Sequence, residues 1–196
     1  MAVQEKKRKG PGRPRSNESE ESILSVTLDL LVERGYRGVT INNVSSKAKV
    51  SKSTIYRRWG SKEELILAAF DRMPALEPPD TGNVEDDLVG IVKQFIGFVQ
   101  NTSLSTVLPI LIGECANNPT LMQALDPLVE RRREPTKRIL QRAVERGELS
   151  SELDLDTMVD LVIGPILLRL FFVLGDVSDN AVRQIVHGAL EGLKPR

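Results

Sequence analysis

Between Val50 and Leu65 the chain reads VSKSTIYRRWGSKEEL, and the side chains able to do chemistry are concentrated there. Lys52, Arg57, Arg58 and Lys62 supply cations, and Ser51, Ser53, Thr54 and Tyr56 supply hydroxyls between them. Every one is a hydrogen-bond donor, so the set suits phosphate oxygens and the acceptor-rich edges of bases. It does not suit bond cleavage. The chain has one His and one Cys, which excludes an internal disulfide framework and leaves no nucleophile–base pair or zinc cluster at usable spacing. There is no glycine-rich phosphate loop and no Gly-x-Ser-x-Gly elbow. The expectation is a binding protein without a cofactor, not an enzyme.

Positioning these groups requires short helices with defined ends, and the flanking residues supply the signals. A helical pattern begins at Asn17, with Glu18, Glu20 and Glu21 near its start and Ile23, Thr27, Leu30 and Leu31 on one face; Gly35 stops it. Thr40 can cap a second short helix carrying Ile41, Val44 and Ala48. Val50-Ser51 is a turn, and Ser51 caps a third helix from Lys52 to about Trp59, closed by Gly60. Ser61 and Glu64 form a capping box for a fourth helix to about Arg72. Ile55 and Trp59 stand at i and i+4, so they share the buried face and leave the polar residues on the other. Two adjacent Arg alone would equally suit an ordinary solvated face. The turn, caps and spacing together describe a helix-turn-helix whose second helix enters the major groove of DNA.

Charge is distributed accordingly. Residues 1–16 hold six basic residues against one acid, residues 17–72 nine against eight, and residues 73–196 twelve against eighteen. An anionic partner is therefore expected at the N-terminal end only. Residues 1–16 read as a disordered basic arm, and residues 17–72 as a DNA-binding domain. Met73 to Asn83, with three prolines, reads as a linker. Residues 84–196 read as a helical domain: Val84 to about Gln100, Leu104 to about Ala116, Thr120 to about Arg146 with bends or breaks near Pro127 and Pro135, Asp156 to Leu174, and Asn180 to Leu193. The stretch 156–174 is apolar nearly all round, which implies burial on every side, part of it against another subunit. The fold class is all-α. No apolar run is long enough to span a bilayer and no signal-peptide core is present, so a reducing cytoplasm is expected.

Residues 23–70 resemble the DNA-binding domain of TetR-family transcriptional regulators. The matching pieces are the Glu-Arg-Gly-Tyr…Thr segment (Glu33 to Thr40), the turn AKVSKSTIY, and YRRWGSKEEL in place of the family's common Tyr-x-His-Phe-x-x-Lys-x-x-Leu. Two departures are Arg58, where the family often has His, and Trp59, where it often has Phe. The resemblance implies Thr40, Tyr56, Arg58 and Lys62 as contacts to the DNA backbone. It implies Ser51, Lys52, Ser53, Thr54 and Arg57 as the residues nearest base edges, with Lys52 the favoured reader of guanine. In the arm, Gly12 to Arg15 resembles an AT-hook core, which would place Arg13 and Arg15 in a narrow minor groove. A merely disordered basic tail that adds non-specific affinity is the alternative.

For residues 84–196 the resemblance implies an unknown small-molecule ligand and a homodimer. A pocket among the middle helices would draw on Phe95, Phe98, Val99, Leu111, Ile112, Cys115, Met122, Met158, Val162 and Arg169, although ordinary core packing suits each apolar one. Arg169, a lone cation in an apolar helix, needs a partner such as Glu114, Asp160 or an anionic ligand. A dimer contact would use Leu170, Val173, Val182, Ile185, Val186 and Ala189. His187, Gly188 and Gly192 would allow close approach of helices there. The function expected is a ligand-responsive repressor that binds a pseudo-palindromic operator as a homodimer. An architectural DNA-binding protein without an inducer is the alternative.

Overall fold

The computed structural model describes the backbone of residues 15–72, 74–152 and 154–193 and the side chains from Asn17 onward. The described residues contain helices and no strand: α1 (Arg15–Gly38), α2 (Ile41–Lys47), α3 (Lys52–Tyr56), α4 (Lys62–Asp71), α5 (Val84–Asn101), α6 (Leu104–Cys115), α7 (Pro119–Glu145), α8 (Leu155–Phe171) and α9 (Asp179–Leu193). The chain divides into two compact units between Phe70 and Asp71.

In the first unit, α1 is two helical stretches joined at Gly35, where φ of 64° and ψ of −174° take the backbone out of the helix. Positive φ is where glycine is favoured over any residue with a Cβ. The core is built from Ile23, Leu24, Leu30 and Leu31 of α1, Val44 of α2, Ile55 of α3, Trp59, and Leu65, Ile66, Ala69 and Phe70 of α4. Thr27 is fully buried and its hydroxyl donates to the Ile23 carbonyl at 2.8 Å, which satisfies a polar atom that burial would otherwise penalise.

The cap chemistry sets the boundaries of the two short helices. Thr40 Oγ1 accepts from the Asn43 amide at 3.1 Å and opens α2, and Ser51 Oγ accepts from the Thr54 amide at 3.2 Å and opens α3. Such a cap contributes about 1 kcal/mol. α3 is shorter than the pattern 52–59 predicts, but helical hydrogen bonding continues past it, with the Trp59 amide bonded to the Ile55 carbonyl at 3.0 Å. Ser61 and Glu64 do form the capping box: Ser61 Oγ accepts from the Glu64 amide at 3.1 Å and Glu64 accepts from the Gly60 amide at 2.8 Å.

In the second unit α5, α7, α8 and α9 close around one core that includes Leu88, Ile91, Val92, Ile139, Leu140, Met158, Val162, Ile166, Val182, Val186 and Leu190. The segment before α5 is tied down. Gln94 exchanges hydrogen bonds with the Glu77 backbone, and the fully buried Asp87 accepts from the amide and hydroxyl of Thr81 at 2.8 Å each. One alternative is removed and one boundary corrected. α7 passes through Pro127 and Pro135 as a single helix, so neither proline breaks it. Each proline removes one backbone bond, and Pro135 and Thr136 are buried. α8 ends at Phe171, not Leu174. Leu174 takes a positive φ of 46° and the Gly175 amide closes onto the Arg169 carbonyl at 2.9 Å, so the apolar run outlasts the helix.

Candidate nucleic-acid interface

Of the side chains singled out around α3, Ser51, Lys52, Ser53, Tyr56 and Arg57 are exposed, while Thr54 is half-buried. Beneath them Ile55 is fully buried and Trp59 nearly so. One short element thus presents donors on one side and is anchored by apolar burial on the other. Tyr56 is 55% exposed, high for a large ring, and its hydroxyl stands available as a donor. The three hydroxyls at the start of the helix are organised among themselves. Ser51 Oγ lies 2.8 Å from Ser53 Oγ and 2.9 Å from Thr54 Oγ1, which fixes their rotamers before any partner arrives. Thr40 is exposed while it caps α2. α2 is tied to α1 by Lys47 and Glu33 at 2.8 Å, and that hydrogen bond holds the Glu33 carboxyl below its ordinary value.

Arg58 and Lys62 stand differently from their neighbours. The Arg58 guanidinium is engaged by Glu20 of α1 and its side chain is 17% exposed. It braces the end of the recognition segment against the start of α1, a contact between residues 38 positions apart that no local pattern reveals. Arg58→Met is expected to lower the stability of the N-terminal unit by about 1 kcal/mol, since Glu20 is 46% exposed and water takes over its carboxylate. The salt dependence of DNA binding should stay unchanged. A salt slope flatter by about one phosphate contact would instead show that Arg58 leaves Glu20 for DNA. Lys62 sits in the first turn of α4 with its ammonium 3.6 Å from the centroid of the Tyr36 ring. Arg13 lies outside the described residues, and of Arg15 only the backbone is described.

In the second unit the predicted ligand residues lie at different depths. Met158 and Val162 are fully buried in the unit's own core, as is Leu111 on α6. Phe98 and Cys115 are half-buried, and Ile112 and Met122 are exposed. Burial raises the Cys115 thiol pKa, helped by the charge of Glu114, which makes it a poorer nucleophile. Arg169 pairs with neither Glu114 nor Asp160: its guanidinium donates to the Asp176 carbonyl at 2.8 Å, and Asp160 pairs with Arg133 at 2.6 Å. A recess of about 320 Å³ lies elsewhere, lined by Asn83, Val84, Glu85, Glu148, His187 and Glu191 among others, and none of the predicted ligand residues lines it.

The expected dimer residues are also redistributed. Val182 and Val186 are fully buried in their own core, so they cannot meet a partner. Leu170, Ile185 and Ala189 pack against that core while half-exposed. Val173 is 60% exposed and does remain available. An uncovered apolar stripe lies on α8 and just beyond it: Leu161, Leu168, Phe172, Val173 and Leu174 are all large and exposed. Gly188 and Gly192 face open space, and His187 faces Glu85 at 3.3 Å. No single helix among the described residues is long and apolar enough to cross a membrane.

Comparison with known proteins accounts for both units. Residues 23–69 match the family described as "Bacterial regulatory proteins, tetR family", and residues 78–189 match "Tetracyclin repressor-like, C-terminal domain". The chain is 34% identical over 189 residues to the HTH-type transcriptional regulator YdeS of Bacillus subtilis, covering 93% of each protein. It is 34% identical over 164 residues to the DNA-binding transcriptional repressor TetR of Mycobacteroides abscessus, covering 82% of this chain and 85% of that one. Among solved structures, the TetR family transcription regulator SCO0332 superposes with a TM-score of 0.70 at 30% identity, covering 91% of this chain and all of that one. Helix-turn-helix geometry, an all-helical second unit and similarity along nearly the whole length converge: the chain belongs to the TetR family of helix-turn-helix transcriptional regulators.

Proposed function

We propose that the protein is a cytoplasmic repressor that binds a pseudo-palindromic operator as a homodimer and is released by a small-molecule inducer. The observation that carries this reading is the donor-rich outer face of α3 seated on the buried Ile55 and Trp59. Lys52, Ser53 and Arg57 reach base edges, with Lys52 reading guanine, while Thr40, Tyr56 and Lys62 contact the backbone. Arg13 and Arg15 of the basic arm add further contacts to the DNA. The repressor assignment draws on the relative from Mycobacteroides abscessus, whose name describes it as one. The dimer assignment draws on the exposed apolar stripe of α8.

In this reading two recognition helices about one DNA turn apart, ~34 Å, enter successive major grooves. An inducer that favours a conformation with different spacing shifts the population off DNA by its differential affinity. α4 carries that shift, because the chain passes from one unit to the other at its end.

The test is selection of bound duplexes from a random pool at physiological salt. Recovery of a palindrome supports a sequence-specific dimer, and its half-site spacing measures the separation of the recognition helices. Recovery of A·T-rich DNA without symmetry would replace this reading with an architectural one dominated by the basic arm.

A further inference from the structure

Tyr36 lies in the short stretch of α1 that follows the break at Gly35, and it is 7% exposed. Two residues from the first turn of α4 converge on it. The Lys62 ammonium stands 3.6 Å from the ring centroid, and the ring hydroxyl donates to Glu63 Oε1. These contacts bridge 26 and 27 positions of sequence and join the end of α1 to the start of α4. Burial pushes the Glu63 carboxyl up, but the Tyr36 hydroxyl, the Glu63 amide and the Lys62 charge together hold it below its ordinary value, so it is an anion at neutral pH.

The arrangement sorts the charges at this helix start. An anionic DNA backbone would be repelled by Glu63 and Glu64 and attracted by Lys62. Glu63 is engaged by the Tyr36 hydroxyl and Glu64 by the Gly60 amide at 2.8 Å. The lysine stem is long and has many rotamers, and fixing it costs binding energy when done at the moment of association. A ring face beneath the ammonium fixes it beforehand, because the ring quadrupole attracts the cation.

We propose that Tyr36 is a positioning residue for DNA binding: its ring holds the Lys62 ammonium in place for a backbone phosphate, and its hydroxyl holds the Glu63 carboxylate aside. This rests on the reading of Lys62 as a phosphate contact, so the experiment separates the two. Full-length protein is titrated with a random-sequence 30-base-pair duplex at several salt concentrations, comparing wild type, Lys62→Ala, Tyr36→Phe, Tyr36→Leu, and pentafluorophenylalanine placed at position 36. The fluorinated ring keeps the shape of the side chain and reverses the charge of its face, so it serves where Tyr36→Leu fails to fold.

Lys62→Ala is expected to weaken binding about tenfold at 0.15 M salt and to flatten the salt slope by about 0.9, one phosphate contact. Tyr36→Leu and the fluorinated ring are expected to weaken binding about three- to tenfold with the same flattening, and to add nothing when combined with Lys62→Ala. Tyr36→Phe should keep the wild-type slope. If Lys62→Ala leaves affinity and slope unchanged, Lys62 does not contact DNA and both readings fall. If Lys62→Ala has its effect while the fluorinated ring retains the wild-type slope, the role of Tyr36 is structural and only this proposal falls.

Discussion

Ile55→Ala is expected to destabilise the N-terminal unit by about 2–5 kcal/mol and to abolish detectable operator binding, although Ile55 is buried beneath the donor face. The side chain is fully buried, and the helix that carries it spans only Lys52–Tyr56. A helix of that length has no stability of its own in water, so the donor face exists only because its underside is packed. Domains are stable by about 5–15 kcal/mol in total, so the loss is a large fraction of what holds this unit together. The Trp59 amide bonds to the Ile55 carbonyl at 3.0 Å, so a shift at Ile55 reaches the residues that close the segment. Two measurements check this. Thermal unfolding followed by tryptophan fluorescence reports the N-terminal unit, since Trp59 is the chain's single Trp. A gel-shift titration reports DNA binding. A variant that melts like wild type and binds within twofold would show that α3 is held by something other than this side chain.

The second large effect is expected at the opposite end of the chain. Leu168→Arg combined with Phe172→Arg should convert the protein to monomers and lower affinity for a full palindromic operator by about 10²–10⁴-fold, the advantage conferred by linking two binding modules. Leu168 is 51% and Phe172 67% exposed in the isolated chain, so neither change disturbs packing within the subunit. The residues Thr157, Leu161, Gly164, Pro165, Leu168 and Phe172 are all exposed and recur at intervals of three or four along α8, apart from the adjacent Gly164-Pro165 pair. They therefore form one continuous face, and a charge in the middle of it meets its own symmetry mate across a two-fold contact. Sedimentation should show half the mass, binding to an isolated half-site should be retained, and the advantage of the second half-site should vanish. A variant that still sediments as a dimer would place the subunit contact on a different surface.

The sequence shows helix starts better than it shows which way apolar residues face. Thr40, Ser51 and Ser61 act as caps because capping is a local matter of a hydroxyl and an amide three residues on. The split of α3 into a donor face and a buried face follows equally from the i, i+4 spacing of Ile55 and Trp59. The face assignments on α8 and α9 were harder. α8 is apolar around most of its circumference, so periodicity alone does not distinguish Val162 and Ile166, which are fully buried, from Leu161 and Leu168, which are exposed. Val182 and Val186 illustrate the same ambiguity on α9, where an apolar stripe suits a subunit contact and a private core equally well. Contacts distant in sequence left no trace in the local pattern. Arg58 with Glu20, and Tyr36 with Glu63, pair residues 38 and 27 positions apart. The end of α8 is masked in the same way, because Phe172, Val173 and Leu174 continue its composition while Leu174 reverses the backbone.

The break within α1 sets a constraint of handedness and not of room. A Cβ built on Gly35 would meet no atom within 4 Å, so a larger residue has space there. What an L residue lacks is a comfortable conformation at φ 64° and ψ −174°. Reflected, those angles become −64° and 174°, close to the extended polyproline geometry that L residues adopt readily. The position therefore suits a D-amino acid, which would fill the open space and restrict the unfolded chain without strain. Natural protein synthesis offers no such residue, and glycine, the achiral one, is the single member of its alphabet that can stand on either side of the mirror.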